Sequence, residues 1–188
     1  VAGLEYLAHS LAMKYEVEPD HFFPFAVRTA LATFPNGSIG QIAVANAAGQ
    51  VVYSSLDADL KSKSSPVSIA DREHFKVHAQ RTGPALFISR PVLGRVSGKW
   101  SVQFSYPVMR DGQFDGVVVL SVAPDYLSGH FSDVSTGGND VTLLVRDDGA
   151  YLARSDRQEV VLNQFVPPDR EFLRHPDRMQ GQYQTKSP

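Results

Sequence analysis

The spacing of apolar residues divides the chain. Val1, Leu4, Ala8, Leu11 and Tyr15 fall at alternating intervals of three and four and form one stripe, which predicts a helix over 1–18. "EPD" interrupts it. A second helical pattern then places Phe23, Val27, Ala30, Leu31 and Phe34 on one side, until "PNG" at 35–37 ends it. Beyond that point the period shortens. "IGQIAVANAAGQVVYSS" is two β-like runs around Gly49, a hairpin signal. A polar loop over 54–66 leads to "SIADREHFKVHAQ", where Ser68 is placed to cap a helix and Asp71 to sit in its first turn.

Gly83 and Pro84 stop that helix, and three strands follow, over 85–92, 99–108 and 116–123. "RDGQFDG" joins the last two, and its Asp111–Gly112 pair suits a tight hairpin. "VVVLSV" is apolar at every face, as expected of a strand covered on both sides. "PDYLSGHF" reads as a short helix or exit segment. Next, "DVTLLVRDDGAYLARS" repeats the pattern of the first hairpin, with Gly149 about 100 residues beyond Gly49. The repeat predicts the same hairpin unit used twice. A helix-like "DREFLRHPDR" and a possible strand "GQYQTK" end the chain. A second sheet comparable to the first needs two more strands, so the second lobe is expected to be partial or truncated.

Bulk numbers narrow the class. The 188 residues (20.6 kDa) suit one ordinary domain or two small ones, and 43% hydrophobic with 20% charged residues describes a soluble globular protein. Eighteen basic and twenty acidic residues give a net charge of -2 without long like-charged runs, so a general nucleic-acid binder is not expected. The absence of cysteine excludes disulfides and thiolate sites without fixing the compartment. No apolar run approaches the ~20 residues of a membrane span. A first residue of Val1 rather than methionine suggests an excised fragment.

Helix, helix, hairpin, helix and three-stranded meander together predict an α+β fold: a five-stranded antiparallel, PAS-like sheet with a long N-terminal helix, plus a smaller second lobe. "SIADREHFKVH", "LFISRPVLGRVSGKWSVQFSYPV", "DGQFDGVVVLSVAPDYL" and "VRDDGAYLAR" closely resemble the double Cache sensor domains of bacterial transmembrane receptors. The closest type precedes GGDEF diguanylate cyclase or histidine kinase modules. The resemblance implies a helical spine over 1–37, a membrane-distal lobe over 38–132, and a linker with a partial membrane-proximal lobe over 133–188. It also implies a periplasmic location, flanking transmembrane helices, a homodimer through the N-terminal helix, and a small ligand held between the distal sheet and a helix-plus-loop wall. One departure matters. Relatives that bind amino acids carry an arginine closely followed by Trp-Tyr, whereas here Trp100 lies between Lys99 and Ser101. An amino-acid ligand is therefore not implied.

The strand 99–108 alternates cleanly, with Trp100, Val102, Phe104, Tyr106 and Val108 on one side and Ser101, Gln103 and Ser105 on the other. Gln41, Ser89 and Ser121 extend the polar row. We expect the apolar face to pack on the N-terminal helix and the polar face to floor a cavity, because a polar face meeting solvent would not suit the doubly apolar strand 116–122. Arg95 and Lys99, on a glycine-serine loop, could close over a bound anion or simply be solvated cations. Arg90 carries the same two readings. Ile69, Arg72, Phe75 and Ala79 share a helix face, so Arg72 needs a partner such as Asp125. Asp125 also resembles the position where amine-binding relatives place a carboxylate. Trp100 is a core anchor or a pocket wall, the core being favoured. His74 and His78 have metal-ligand spacing, but no third ligand is adjacent and no metal or other cofactor is expected. The candidate ligand contacts are Arg72, His74, Phe75, Phe87, Arg90, Lys99, Trp100, Gln103 and Asp125. No nucleophile elbow, Walker loop or dinucleotide fingerprint occurs, and "STGGND" reads as a linker, so catalysis is not expected. The rival readings are a structural or protein-interaction ectodomain and a free solute-binding protein.

Overall fold

A computed structural model describes all residues except 1, 21, 57–66, 82, 130, 132–139, 179 and 183–188. Helices α1 (Ala2–Val17) and α2 (Phe22–Thr33) precede strands β1 (Ile39–Asn46) and β2 (Val51–Ser54). Helix α3 (Glu73–Gln80) leads into β3 (Phe87–Leu93), β4 (Trp100–Arg110) and β5 (Gln113–Val122), and α4 (Pro124–Ser128) follows. A second unit contains β6 (Leu143–Val145), β7 (Tyr151–Arg154), α5 (Gln158–Val161) and α6 (Glu171–Arg174). The first five strands form one antiparallel sheet in the order β2-β1-β5-β4-β3, and β6 pairs with β7 alone.

Strand alternation sorts side chains onto two covered faces. Even-numbered residues Ile42, Val44, Val102, Phe104, Val118 and Leu120 join Leu4, Ala8 and Leu11 of α1 and Phe23 and Val27 of α2 in the main core. Phe23 stacks edge-on between Tyr15 and Tyr53, at 5.0 and 4.8 Å between ring centres. Odd-numbered residues turn the other way, where Ala45, Val117 and Val119 pack beneath Phe75 of α3. β5 is apolar on both faces because both are roofed. The expected two-residue hairpin joins β4 to β5, with φ positive at Asp111 (50°) and Gly112 (76°), as a type I′ turn requires. β3 is an edge strand, which accommodates Pro91 beside a register shift.

Three local expectations are corrected. Ser68 does not cap α3: its hydroxyl accepts from the Ala70 amide (3.3 Å), while Ile69 N–H is bonded to the Gly49 carbonyl (2.8 Å). That tie to the first hairpin holds the chain extended, so the helix starts only after Arg72, and Asp71 lies before its first turn. The helix is also rotated from the expected face: His74, Phe75 and His78 are buried and Ala79 is exposed. Trp100 is not a core anchor. It is 38% exposed because Leu93↔Trp100 ends the β3–β4 ladder, where Leu93 is exposed too. The "STGGND" linker except Asp140, most of the 54–66 loop and most of "GQYQTK" lie outside the described residues.

Candidate functional site

The odd-numbered face of the sheet carries a buried polar row. Gln41 is aligned with Ser121 and Ser121 with Gln103, so three strands contribute side by side. Gln41 Nε2 donates to Ser54 Oγ (2.9 Å), Ser121 Oγ donates to Gln103 Oε1 (2.8 Å), and Gln103 Nε2 donates to Ser101 Oγ (2.8 Å). Ser89 Oγ accepts from the Gln103 amide (3.0 Å), which extends the row to the edge strand. Buried amides and hydroxyls are tolerable only when bonded in this way. The network fixes the rotamers of both glutamines and leaves a rigid, neutral floor.

The roof is built from two segments tied together. The β3–β4 loop closes through Gly94 N–H to Lys99 O (2.9 Å), and a Cβ on Gly94 would meet Ser97 Oγ at 2.1 Å, so any larger residue there requires the Ser97 side chain to rotate away. Arg95 on this loop forms a two-pronged ion pair with Asp71, both contacts 2.7 Å, and also donates to the Ser68 carbonyl. The Arg95 hydrogen bond holds the Asp71 carboxyl down to about 2. The basic loop is thus clamped to the approach of α3 rather than left free above the sheet.

Between floor and roof lies a cavity of about 50 Å³, set in a cleft of about 480 Å³ counted out to solvent. Its wall is mainly apolar, with Ala43, Ala45, Val51, Ile69, Val96 and Val119. Gln41, Gln103, Ser121, Arg72, Arg95 and His74 supply the polar groups. Arg72 donates to the Leu93 carbonyl (3.2 Å). His74 is 5% exposed, and its Nδ1 has no hydrogen-bond partner. Burial, then the positive field of Arg72, pushes the imidazole down to about 4, so it is neutral near pH 7. His78 is likewise held at about 4 by burial, but is satisfied by Ser105 Oγ at 2.9 Å.

The structure therefore gathers Arg72, His74 and Gln103 at the cavity, and adds Arg95. Phe75 lies beneath α3, packed on Phe114 (5.6 Å), and does not line the cavity. Phe87 faces a different space between the two sheets, 5.7 Å below the Arg146 guanidinium. Arg90 approaches Glu73 (3.8 Å) and lies over Phe165 (5.5 Å). Lys99 is exposed beside the loop. Asp125 does not pair with Arg72: it is exposed in the first turn of α4, whose Tyr126 and Leu127 pack on the opposite, α1-covered core. Among the described residues no third ligating side chain joins the two histidines. The unforeseen parts are the Asp71–Arg95 clamp, visible as two opposite charges on facing loops, and the valine-rich wall.

A five-stranded antiparallel sheet between an N-terminal helix pair and a helix-plus-loop roof, followed by a second hairpin, is the α+β fold expected from the sequence. Solved sensor domains share it. The extracellular domain of rpHK1S-Z16, assigned as a histidine kinase, matches with a TM-score of 0.81 at 23% identity, covering 100% of this chain and 76% of that one. The ligand-binding domain of the Pseudomonas fluorescens chemoreceptor CtaA, in complex with L-valine, gives 0.66 at 18% identity over 87% and 69%. The sensor domain of the V. cholerae histidine kinase DctB gives 0.57 at 14% over 92% and 65%. No family model and no curated protein matches the sequence.

Proposed function

We propose that this chain is the periplasmic sensing region of a bacterial transmembrane receptor of the histidine kinase or diguanylate cyclase type, and that it binds a small organic ligand rather than catalysing a reaction. The observation that carries the reading is the cavity between the bonded glutamine-serine floor and a wall that includes Arg72 and His74, the latter with a buried Nδ1 that has no partner among the described residues. An unsatisfied buried polar atom costs roughly 1–3 kcal/mol, and a bound ligand relieves that cost. The Cache fold supports the same reading, since CtaA holds small molecules in complexes with L-valine, L-alanine and L-serine. In this proposal residues 1–37 form the spine, 38–132 the membrane-distal lobe, and 133–188 the linker and proximal lobe.

Dimerisation through α1 belongs to the same proposal. Tyr6 (74% exposed), Met13 (52%) and Val17 (70%) lie seven and four apart on the side away from Leu4, Ala8 and Leu11, a spacing suited to a second helix. Because the opposite side of α1 is core, the test is Tyr6→Glu with Met13→Glu rather than deletion. A fold-intact monomer is expected by light scattering, and an unchanged dimer would remove α1 from the interface.

Ligand binding is tested by a thermal-shift screen of organic acids, amines and nucleobases, run beside Val119→Phe, which fills the cavity. A ligand at ~100 times its Kd adds about 2.7 kcal/mol of stability, and Val119→Phe is expected to abolish the shift. A screen in which nothing stabilises the protein, or in which Val119→Phe responds equally, would leave an interaction module as the better description.

A further inference from the structure

We infer that the cavity takes a small organic monoanion: a short-chain carboxylate with an aliphatic tail and no ammonium group. This rests on the cavity being the ligand site, and deepens that reading by assigning a chemical class.

The charges in the wall decide it. Among the described residues two guanidiniums, Arg72 and Arg95, line the space, and no aspartate or glutamate does. The two are not equivalent. Arg95 is consumed by both oxygens of Asp71 and by the Ser68 carbonyl. Among the described residues Arg72 is bonded only to the Leu93 carbonyl, so most of its five donors remain for an anion. One available cation suits one carboxylate. A second carboxylate would be buried against a neutral floor and an ion pair already closed, which is unfavourable.

The same wall excludes an ammonium. A buried ammonium needs anionic or several carbonyl acceptors, and the Arg72 guanidinium, which no carboxylate offsets among the described residues, repels it. On the floor Gln103 Oε1 already accepts from Ser121, and Gln41 Oε1 alone is too few acceptors for three ammonium N–H donors. His74 completes the carboxylate site. Its Nδ1 is buried without a partner, two residues from Arg72 on the same cavity wall. As the Nδ1–H tautomer it donates to the second carboxylate oxygen while Arg72 holds the first. The rest of the space, bounded by Ala43, Ala45, Val51, Ile69, Val96 and Val119, is apolar and suits a short aliphatic tail.

Isovalerate and L-valine make a matched pair, since they differ only by the ammonium group, and methylsuccinate adds a second carboxylate. Titration calorimetry on the intact 188-residue chain is expected to show saturable isovalerate binding, with L-valine and methylsuccinate each at least tenfold weaker. Arg72→Gln should weaken isovalerate at least tenfold and His74→Phe several-fold, with both variants folded by circular dichroism. Tighter binding of L-valine or methylsuccinate, abolished by Val119→Phe, overturns the monoanion while leaving the sensor cavity in place. The monoanion is overturned in the same way if only an amine or nucleobase binds there. If no compound of any class binds, the class and the cavity reading fall together.

Discussion

The two hairpins of this chain are built alike to the level of single hydrogen bonds, and differ in what surrounds them. Val44 pairs with Tyr53 and Ala45 with Val51 in the first; Leu144 pairs with Ala153 and Val145 with Tyr151 in the second, all shifted by 100 positions. Each has a register shift at the same place. Gly49 N–H bonds Asn46 O and Gly149 N–H bonds Arg146 O, both at 2.8 Å. Ser55 and Ser155 each accept in turn from the amides of Ile42 and Thr142, both at 3.0 Å. Yet β1 is buried between β2 and β5, whereas β6 pairs only with β7 among the described residues, and Leu143 is 39% exposed. Local sequence sets the hairpin, and the neighbours decide whether it becomes a cavity floor.

Acid offers the largest contrast between the two. His74 and His78 lie over the first sheet, each at about 4 when folded against an ordinary 6.5. A depressed folded value means that the unfolded chain binds protons first, so stability is complete above about pH 6.5 and declines as pH falls towards 4. Each pH unit between the folded and the ordinary value corresponds to about 1.4 kcal/mol, so the two histidines together place several kcal/mol in that window. Asp71, held at about 2, acts in a separate window, its contribution being lost only as pH falls from about 4 towards 2. In the second unit His175 is partly exposed beside Glu171, not buried. Urea unfolding followed by Trp100 fluorescence should show a falling midpoint from pH 7 to pH 5, with amide protection lost in α3 and β4 before β6 and β7. A midpoint constant until pH 4 would show that the buried histidines do not titrate this way.

The turn glycines differ by a smaller margin. Both have positive φ, 77° at Gly49 and 88° at Gly149, so alanine at either is strained by roughly 1 kcal/mol. At Gly49 the added Cβ would also sit 2.7 Å from the Ala70 Cα, a backbone atom that cannot swing away. At Gly149 it would meet the Leu173 Cδ1 at 3.1 Å, the end of a flexible side chain. Gly49→Ala is therefore expected to cost about 3 kcal/mol and Gly149→Ala about 1 kcal/mol by denaturant titration. Equal costs would mean that the two turns meet equally yielding surroundings.

These contrasts also mark what the sequence could reveal. The period-two alternation of β4, the Asp111–Gly112 turn and the Gly49–Gly149 spacing are local signals, and each survives folding intact. The Gln103 floor was readable for the same reason. The partner of Arg72 and the burial of Trp100 were misread because both are set by elements distant in sequence: the β3–β4 loop brings the Leu93 carbonyl to Arg72, and the sheet simply ends at Trp100. Asp71 and Arg95 lie 24 residues apart, so only the loop geometry joins them. The cavity wall was illegible in the same sense, since Val51, Val96 and Val119 resemble ordinary core residues until the roof closes above them.

Position 46 and its counterpart 146 give the finest test of the comparison. Asn46 turns inward, its Oδ1 accepting from the amides of Ala48 and Gln50 (3.1 and 3.0 Å). Arg146 serves both its own turn and the first unit: it pairs with Asp148 (Nε to Oδ1 2.9 Å) and also donates to the Ile88 carbonyl (3.2 Å) and to Glu73 (3.0 Å), and its side chain is only 19% exposed. Glu73 stands between Arg72 and His74, so this strap fastens the second unit to the helix turn that carries the cavity wall. Arg146→Asn gives the second turn the residue of the first, and so removes both the strap and the pair with Asp148, whose Oδ1 still accepts from the Ala150 amide. Hydrogen bonds to a charged group contribute roughly 1.5–3 kcal/mol, reduced here by the partial exposure of Glu73, so the net loss should be near 1 kcal/mol, or about 2–4 °C in Tm. Glu73→Gln in the Arg146→Asn background should then cost less than it does alone, because only the longer 3.8 Å contact with Arg90 is left to lose. If the two losses add in full, Glu73 and Arg146 stabilise the molecule separately, and the second hairpin holds α3 by other contacts than this ion pair.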